Sequence, residues 1–146
     1  MHILMCNDDG ILADGLRHLA SYLSQYYRIT VVAPANEQSA KSHALTTEVP
    51  LKLDAYNGED ENPRLYALTG TPSDCMKFGL SYLLTDDMPD LVISGINHGF
   101  NLGSDVLYSG TVSAAMESCF YGIPGLALSV ERYSPERGDE MHPFIH

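Results

Sequence analysis

The sequence is poor in basic residues. Eight Lys and Arg stand against 19 Asp and Glu, which gives a formal net charge of −11, and the few cations form no basic run. Long nucleic acid is therefore excluded as an expected partner, because its phosphates need Lys and Arg to neutralise them. A single nucleotide remains compatible with this charge, since a divalent cation and helix N-termini can hold a small phosphate group.

Cysteine is scarce as well. Cys6, Cys75 and Cys119 are odd in number and lie far apart among apolar or helix-forming residues, which argues against a disulfide framework and a CxxC zinc site. We expect buried, reduced thiols. The sequence also lacks a basic leader segment and any apolar run of membrane-spanning length. These absences predict a cytoplasmic protein that does not enter a membrane.

Linkers and internal repeats are lacking too, and 146 residues with 45% hydrophobic content suit one domain with one core. The apolar run at residues 2–7 predicts a buried strand, the helical spacing from Asp14 to about Tyr27 predicts a helix, and residues 29–33 predict a second strand. Such a strand–helix–strand unit predicts a parallel sheet covered by helices, in which ligands bind at the carboxyl ends of the strands.

The rest of the chain continues this alternation. Residues 45–53 and 65–68 predict two strands around a polar loop, a hairpin-like excursion from the parallel sheet. Thr71, Pro72 and Asp74 carry the capping-box pattern and first-turn proline that begin a helix. The remaining predicted elements are a helix at 71–84, a strand at 91–94, a helix at about 110–121 and a strand at 125–130. The predicted fold is α/β, a Rossmann-like doubly wound, mostly parallel sheet with a β-hairpin excursion.

Polar side chains follow three of the predicted strands. Asp8 and Asp9 come directly after the first strand, Ser39 follows the second, and Asn97 follows the strand at 91–94. The carboxyl ends of parallel strands meet at one edge of the sheet, so these side chains are expected to lie together. Oxygen ligands suit Mg²⁺ or Mn²⁺ better than zinc or copper. Each residue also has an ordinary structural role open to it, such as capping a helix or stabilising a turn.

Ser109, Gly110 and Thr111 stand at the start of the helix predicted near residue 110. Backbone N–H groups and hydroxyls at a helix start can bind phosphate. Ser109 or Thr111 can equally cap the helix, and the two roles are compatible. The three residues are therefore a candidate phosphate site.

Four motifs of this sequence occur in the same order in one known family. They are residues 7–10 (NDDG), 70–75 (GTPSDC), 94–103 (SGINHGFNLG) and 106–112 (VLYSGTV). Together they resemble, over residues 1 to about 130, the SurE family of stationary-phase survival proteins. The resemblance implies a phosphoric monoester hydrolase that converts nucleoside 5′- and 3′-monophosphates to nucleoside and phosphate. Some members of the family also cleave short-chain polyphosphate.

The resemblance also assigns roles to residues. It implies one divalent cation, Mg²⁺ or Mn²⁺, with four ligands: Asp8, Asp9, Ser39 and Asn97. It implies catalytic roles for Asp8, Asp9 and Asn97, and phosphate binding by Ser109, Gly110, Thr111 and Asn101. The expected chemistry is attack by a water molecule that the cation activates, with an aspartyl-phosphate on Asp8 as the less favoured route.

The sequence departs from the family pattern in two places. Ala40 stands where the family usually has glycine after the serine of the second loop, which alters the freedom of that loop. The family usually continues into elements that complete the sheet and an arm that builds a homodimer or tetramer. We therefore expect residues 1–130 to form the nucleotidase core and 131–146 a charged tail, truncated relative to the family. The alternative function is a non-catalytic nucleotide- or metal-binding fragment of the same fold.

Two other α/β classes fit the sequence less well. A phosphoacceptor receiver domain needs an isolated Asp after its third core strand, where this chain has Asn97 in a glycine-rich segment. A dinucleotide-binding domain needs G-x-G-x-x-G after its first strand, where this chain has the acidic motif at residues 7–10.

Overall fold

The computed structural model describes residues 1–38, 43–58 and 60–131. Its strands, in chain order, are β1 (His2–Cys6), β2 (Arg28–Pro34), β3 (Leu53–Ala55), β4 (Arg64–Leu68), β5 (Leu91–His98) and β6 (Gly125–Val130). Its helices are α1 (Asp14–Leu23), α2 (Pro72–Phe78) and α3 (Gly110–Cys119). A π-helical segment at Gly79–Leu83 extends α2, and a 3₁₀ segment at Gly103–Tyr108 precedes α3. The charged tail expected at 131–146 lies, beyond its first residue, outside the described residues.

The described strands form one sheet in the order β3-β4-β2-β1-β5-β6. Neighbouring strands from β4 to β6 run parallel, and β3 runs antiparallel beside β4. β1 lies between β2 and β5, with Met5 opposite Val31 and Cys6 opposite Ser94. This topology confirms the predicted α/β fold with its hairpin excursion. It also puts the carboxyl ends of β1, β2 and β5 side by side.

Helices cover both faces of the sheet, as buried parallel strands require. Successive residues of β1 point to opposite faces, so Ile3 and Met5 pack in one apolar cluster with Leu16 of α1, and Leu4 packs in another with Met76 of α2. Burial of each large side chain contributes about 1.5–3 kcal/mol. The two layers hold β1 from both sides, and the polar turn at residues 7–10 begins at its buried end.

The start of α2 confirms the capping box predicted from the sequence. The Asp74 N–H donates to Oγ1 of Thr71 at 3.1 Å, and Oδ2 of Asp74 accepts from the Thr71 N–H at 2.9 Å. Pro72 occupies the first helical position, where an N–H group would have no partner within the helix, so proline loses no hydrogen bond there. The π-helical segment then carries the predicted helix on to Leu83.

Two helices end earlier than predicted. α1 ends at Leu23 rather than near Tyr27, and the side-chain amide of Asn62 donates to the carbonyls of Ser24 and Tyr27 at 2.8 and 2.9 Å. This distant residue therefore satisfies carbonyls of the segment that follows the helix. α3 ends at Cys119 rather than Tyr121, and Gly122, three residues after Cys119, takes a φ of +71°.

The strand predicted at residues 45–53 is mostly wrong. Only Leu53–Ala55 pairs, antiparallel to β4, and residues 45–52 lie outside the sheet. The N–H of Thr46 donates to the Asp74 carboxylate instead of to a neighbouring strand, and Leu51 packs on the apolar cluster below α2. Side-chain contacts with α2 thus replace strand pairing there.

The strand predicted to end at Ser94 continues through His98. Its register with β6 shifts between Ser94 and Asn97, so Asn97 pairs with Ser129. Gly95 lies in the shift with a φ of +127°, and a Cβ there would lie 2.3 Å from the Leu128 carbonyl oxygen. The part of the glycine-rich loop that we expected after Ser94 is therefore an irregular strand, which glycine allows.

Cys6 and Cys75 are buried and unpaired, as expected, but Cys119 is exposed near the end of α3, which corrects the expectation that all three are buried. Burial and the neighbouring Cys6 thiol raise the pKa of Cys75 well above its ordinary value. Within the ranges that the structure describes, no helix is long and apolar enough to cross a membrane.

Candidate functional site

A tight turn at the carboxyl end of β1 presents the acidic pair. The buried side chain of Asn7 bridges the turn: its amide nitrogen donates to the Gly10 carbonyl at 3.0 Å, and its oxygen accepts from the Gly10 N–H at 3.1 Å. Gly10 has a φ of +101°, which glycine adopts without steric cost. Asp8 and Asp9 lie between these two residues, so their backbone is fixed by the chain itself. Asn7 was not identified from the sequence.

The N-terminus of α3 packs directly on Asp8. Oγ1 of Thr111 donates to Oδ1 of Asp8 at 2.8 Å, and both residues are buried. A Cβ added to Gly110 would lie 3.0 Å from the Asp8 Cβ and 3.2 Å from its Oδ2. Glycine at position 110 therefore lets the helix approach the carboxylate. The structure thus brings Asp8, a predicted metal ligand, against Gly110 and Thr111, two of the predicted phosphate-binding residues.

Ser109 caps α3, which confirms the capping alternative for this residue. Its Oγ accepts from the Val112 N–H at 3.1 Å, and its carbonyl accepts from the N–H and hydroxyl of Ser113. A capping hydroxyl keeps its own hydrogen for donation, so Ser109 can cap the helix and also contact an anion. Thr111 donates its hydroxyl hydrogen to Asp8 and so holds that carboxylate in position.

Two asparagines lie at or shortly after the carboxyl end of β5. The side-chain nitrogen of Asn97 donates to the Gly99 carbonyl at 2.8 Å, so the amide oxygen is the atom it can offer to a cation. The side-chain nitrogen of Asn101 donates to Oγ of Ser129 at 2.7 Å, and Ser129 is the register partner of Asn97. Since β5 neighbours β1, both asparagines lie at the sheet edge that carries Asp8 and Asp9.

The loop after β2 also reaches this edge. The N–H of Gln38 donates to the Asp8 carbonyl at 2.8 Å, and the N–H of Ile11 donates to the Pro34 carbonyl at 2.8 Å. Ser39, the fourth predicted metal ligand, and Ala40 lie outside the described residues. Ser39 therefore stays a prediction, although its neighbour Gln38 is bonded to the acidic turn.

The donor atoms at this edge fit a hard divalent cation. Two adjacent carboxylates and an amide oxygen are the oxygen ligands that Mg²⁺ and Mn²⁺ prefer, and the Gly110 cradle holds one carboxylate close to the helix start. In the described part of the chain, no three His, Cys, Asp or Glu side chains form a metal-binding group. A cation here would thus depend on two carboxylates supplemented by neutral oxygens.

Comparisons with known proteins identify relatives of this chain. The sequence matches the family model described as Survival protein SurE over residues 3–145. The 5′-nucleotidase SurE of Thermoanaerobacter sp. (strain X514) is 54% identical over 145 residues, which cover 99% of this chain and 57% of that protein. The 5′-nucleotidase SurE of Vibrio vulnificus (strain YJ016) is 50% identical over 130 residues, which cover 89% of this chain and 49% of that protein.

A solved structure has the same architecture. The crystal structure of the SurE protein from Aquifex aeolicus matches with a TM-score of 0.78 and 43% identity, covering 88% of this chain and 50% of that one. The chain spans about half the length of the curated relatives it matches. Because a family match over nearly every residue accompanies the same fold and the acidic turn, the chain belongs to the SurE family.

Proposed function

We propose that the chain carries the active site of a divalent-cation-dependent phosphatase that hydrolyses nucleoside 5′-monophosphates. The contact between Thr111 and Asp8 supports this most directly, because it joins a carboxylate suited to a cation to a helix start suited to a phosphate. Two curated relatives at 50% identity or more are named 5′-nucleotidase SurE, which agrees with the substrate class. Nucleoside 3′-monophosphates and short-chain polyphosphate are the further substrates that the resemblance supports.

Asp8, Asp9 and Asn97, with Ser39 as the predicted fourth ligand, would hold one Mg²⁺ or Mn²⁺. When bound, such a cation would supply positive charge to a phosphoryl oxygen and would lower the pKa of a water molecule. Thr111 fixes Asp8 by donating to Oδ1, so the carboxylate keeps one orientation through the reaction. Asp9, in the same turn, is the residue we assign to proton transfer as well as to ligation.

The start of α3 would bind the phosphate. The first N–H groups of a helix have no partners within the helix, and the helix dipole favours an anion at this end. Gly110 and Thr111 supply these N–H groups, and the Ser109 hydroxyl supplies another donor. These donors would stabilise the phosphoryl oxygens as negative charge develops on them. Catalysis of this kind requires no covalent intermediate.

The overall charge favours a requirement for the cation in substrate binding. A chain of formal charge −11 repels a nucleotide dianion, and the acidic turn adds local repulsion. A divalent cation held by the acidic turn would offset this repulsion. The family resemblance further supports a homodimeric or tetrameric assembly, and the unpaired thiols support a cytoplasmic location.

The substrate class is tested by phosphate release from a panel of nucleoside 5′- and 3′-monophosphates, tripolyphosphate and a nitrophenyl phosphate, with Mn²⁺ or Mg²⁺ and with EDTA. The expected result is release from the 5′-monophosphates that EDTA abolishes. A folded chain that binds Mn²⁺ and releases no phosphate from any substrate would instead identify a non-catalytic member of the family.

A further inference from the structure

A buried carboxylate in α3 has no part in the proposed chemistry. Glu117 is 8% exposed and lies about two helical turns beyond Gly110. Its Oε2 atom lies 2.7 Å from Nε2 of His43, and the His43 ring lies 6.4 Å from the ring of Phe120, just past the end of the same helix. A carboxylate removed from water is costly without a donor, and His43 supplies that donor.

The chain next to His43 is bound to α2 as well. Oγ1 of Thr71 donates to the Ala44 carbonyl at 2.6 Å. The N–H and the hydroxyl of Thr46 donate to the Asp74 carboxylate at 3.0 and 2.6 Å. Residues 43–46 are therefore held at once by the first turn of α2 and by the last turn of α3.

Gln38, five positions before His43 in the chain, is held at the acidic turn. The N–H of Gln38 donates to the Asp8 carbonyl at 2.8 Å. From Gln38 to His43 the chain can span at most about 17 Å when fully extended. Ser39, the predicted cation ligand, is covalently bonded to Gln38. At the far end of this span, the His43 side chain therefore ties the chain to α3, the helix that begins at the phosphate site.

We propose that the His43–Glu117 pair is a positioning latch, which ties residues 43–46 to α3 and thereby sets the affinity of the Asp8 site for its divalent cation. This role rests on the metal site of the proposed function. Loss of the latch weakens cation binding and leaves turnover at saturating cation unchanged, because neither side chain takes part in the chemistry. Residues that orient a metal site from outside its ligand set have this kind of effect.

The test is Mn²⁺ binding measured by isothermal titration calorimetry on the parent chain and on His43→Ala, Glu117→Ala and the double variant. We expect each single variant to raise the Kd for Mn²⁺ about 10-fold, the lower end of the effect known for such outer residues. The double variant should bind no more weakly than the worse single variant, because both substitutions remove one interaction. His43→Gln, which keeps an N–H donor at similar reach, should restore most of the affinity.

Kinetics supply a second readout. The Mn²⁺ concentration that gives half-maximal phosphate release should rise in parallel with the Kd, while kcat at saturating Mn²⁺ stays at the parent value. A matched control is His18→Ala, which removes an exposed histidine of α1 and should leave Mn²⁺ binding unchanged. If His43→Ala does not fold, as judged by far-UV circular dichroism, Glu117→Gln replaces it and should give a smaller rise in Kd.

Three results would overturn the latch. The latch is excluded if the single variants bind Mn²⁺ as tightly as the parent chain. It is also excluded if the increases in Kd of the two single variants multiply in the double variant. Either result leaves the proposed function standing, provided that Asp9→Asn abolishes Mn²⁺ binding. If the Asp9→Asn variant binds Mn²⁺ as tightly as the parent chain, both the latch and the metal site are overturned.

Discussion

Gly110 is the residue at which α3 meets Asp8, and the contact predicts the outcome of Gly110→Ala. Helix propensity favours alanine by up to about 1 kcal/mol. The added Cβ would lie 3.0 Å from the Asp8 Cβ and 3.2 Å from Cγ of Pro72, so the carboxylate or the helix must shift. Because small displacements of reacting groups cost about 100-fold in rate, we expect kcat/KM for phosphate release to fall 10- to 100-fold, on the order of that limit.

The matched control for this change is Gly15→Ala in α1. Its Cβ would make only ordinary contacts, 3.4 Å from the Ile96 carbonyl oxygen, so activity should stay at the parent level. Equal activity in Gly110→Ala and the parent chain would show that the close approach of α3 to Asp8 is dispensable.

The hydrogen bond from Thr111 to Asp8 predicts that Thr111→Val destabilises the chain and impairs cation binding. Valine keeps the branched shape but leaves a buried carboxylate oxygen without its donor, at a cost of about 1–3 kcal/mol. Urea unfolding gives the change in the free energy of unfolding, and calorimetry with Mn²⁺ gives the change in Kd.

Thr111→Ser keeps the hydroxyl and serves as the control. It should retain most of the stability and Mn²⁺ affinity that valine loses. Serine and valine variants of equal affinity would mean that the hydroxyl does not orient Asp8. No local pattern in the sequence indicates this bond, because its two residues are 103 positions apart.

At the scale of elements, the capping box of α2 predicts a pH dependence of stability. Burial acts to raise the pKa of Asp74, but hydrogen bonds donated by Thr46 and Thr71 outweigh it and lower the pKa below its ordinary value. The unfolded carboxyl takes up its proton at about pH 4, and the folded one only at lower pH. The stabilisation is therefore complete above about pH 4 and is lost as the pH falls through the folded pKa.

Asp74→Asn tests this dependence. At pH 7 the variant should unfold with a free energy about 1–2 kcal/mol lower than the parent, because the amide presents a donor where Thr46 and Thr71 also donate. Urea unfolding from pH 7 down to pH 3 should show the gap between variant and parent shrinking below pH 4. Asp14→Asn, an exposed first-turn carboxyl of α1, is the control and should show little gap. A gap for Asp74→Asn that is constant with pH would contradict this account.

Elements could be predicted from the sequence where local pattern and tertiary structure agree. The start of α2 was predictable because Thr71 and Asp74 satisfy each other within one turn. The end of α1 was not predictable, because Asn62, far along the chain, satisfies carbonyls just beyond the helix. Residues 45–52 have the composition of a strand, but contacts of Thr46 with Asp74 keep them off the sheet.

At the scale of the whole molecule, the sheet edge that carries the site was predictable. Asp8 and Asn97 each follow an apolar run, and parallel strands bring such positions to one edge. What the sequence does not show is how that edge is built: the Asn7 bridge, the packing of Gly110 on Asp8 and the contact of His43 with Glu117. These depend on how distant segments meet, and local patterns carry no information about that.

The most direct test of the central claim is Mn²⁺-dependent phosphate release from a nucleoside 5′-monophosphate by the parent chain, Asp9→Asn and Asp86→Asn. Asp86 is an exposed carboxyl in the loop before β5, at the opposite edge of the sheet from Asp9. We predict that the parent and Asp86→Asn release phosphate at equal rates, and that Asp9→Asn or EDTA abolishes release. Release that persists in Asp9→Asn, or in the presence of EDTA, would contradict a cation-dependent active site at the end of β1.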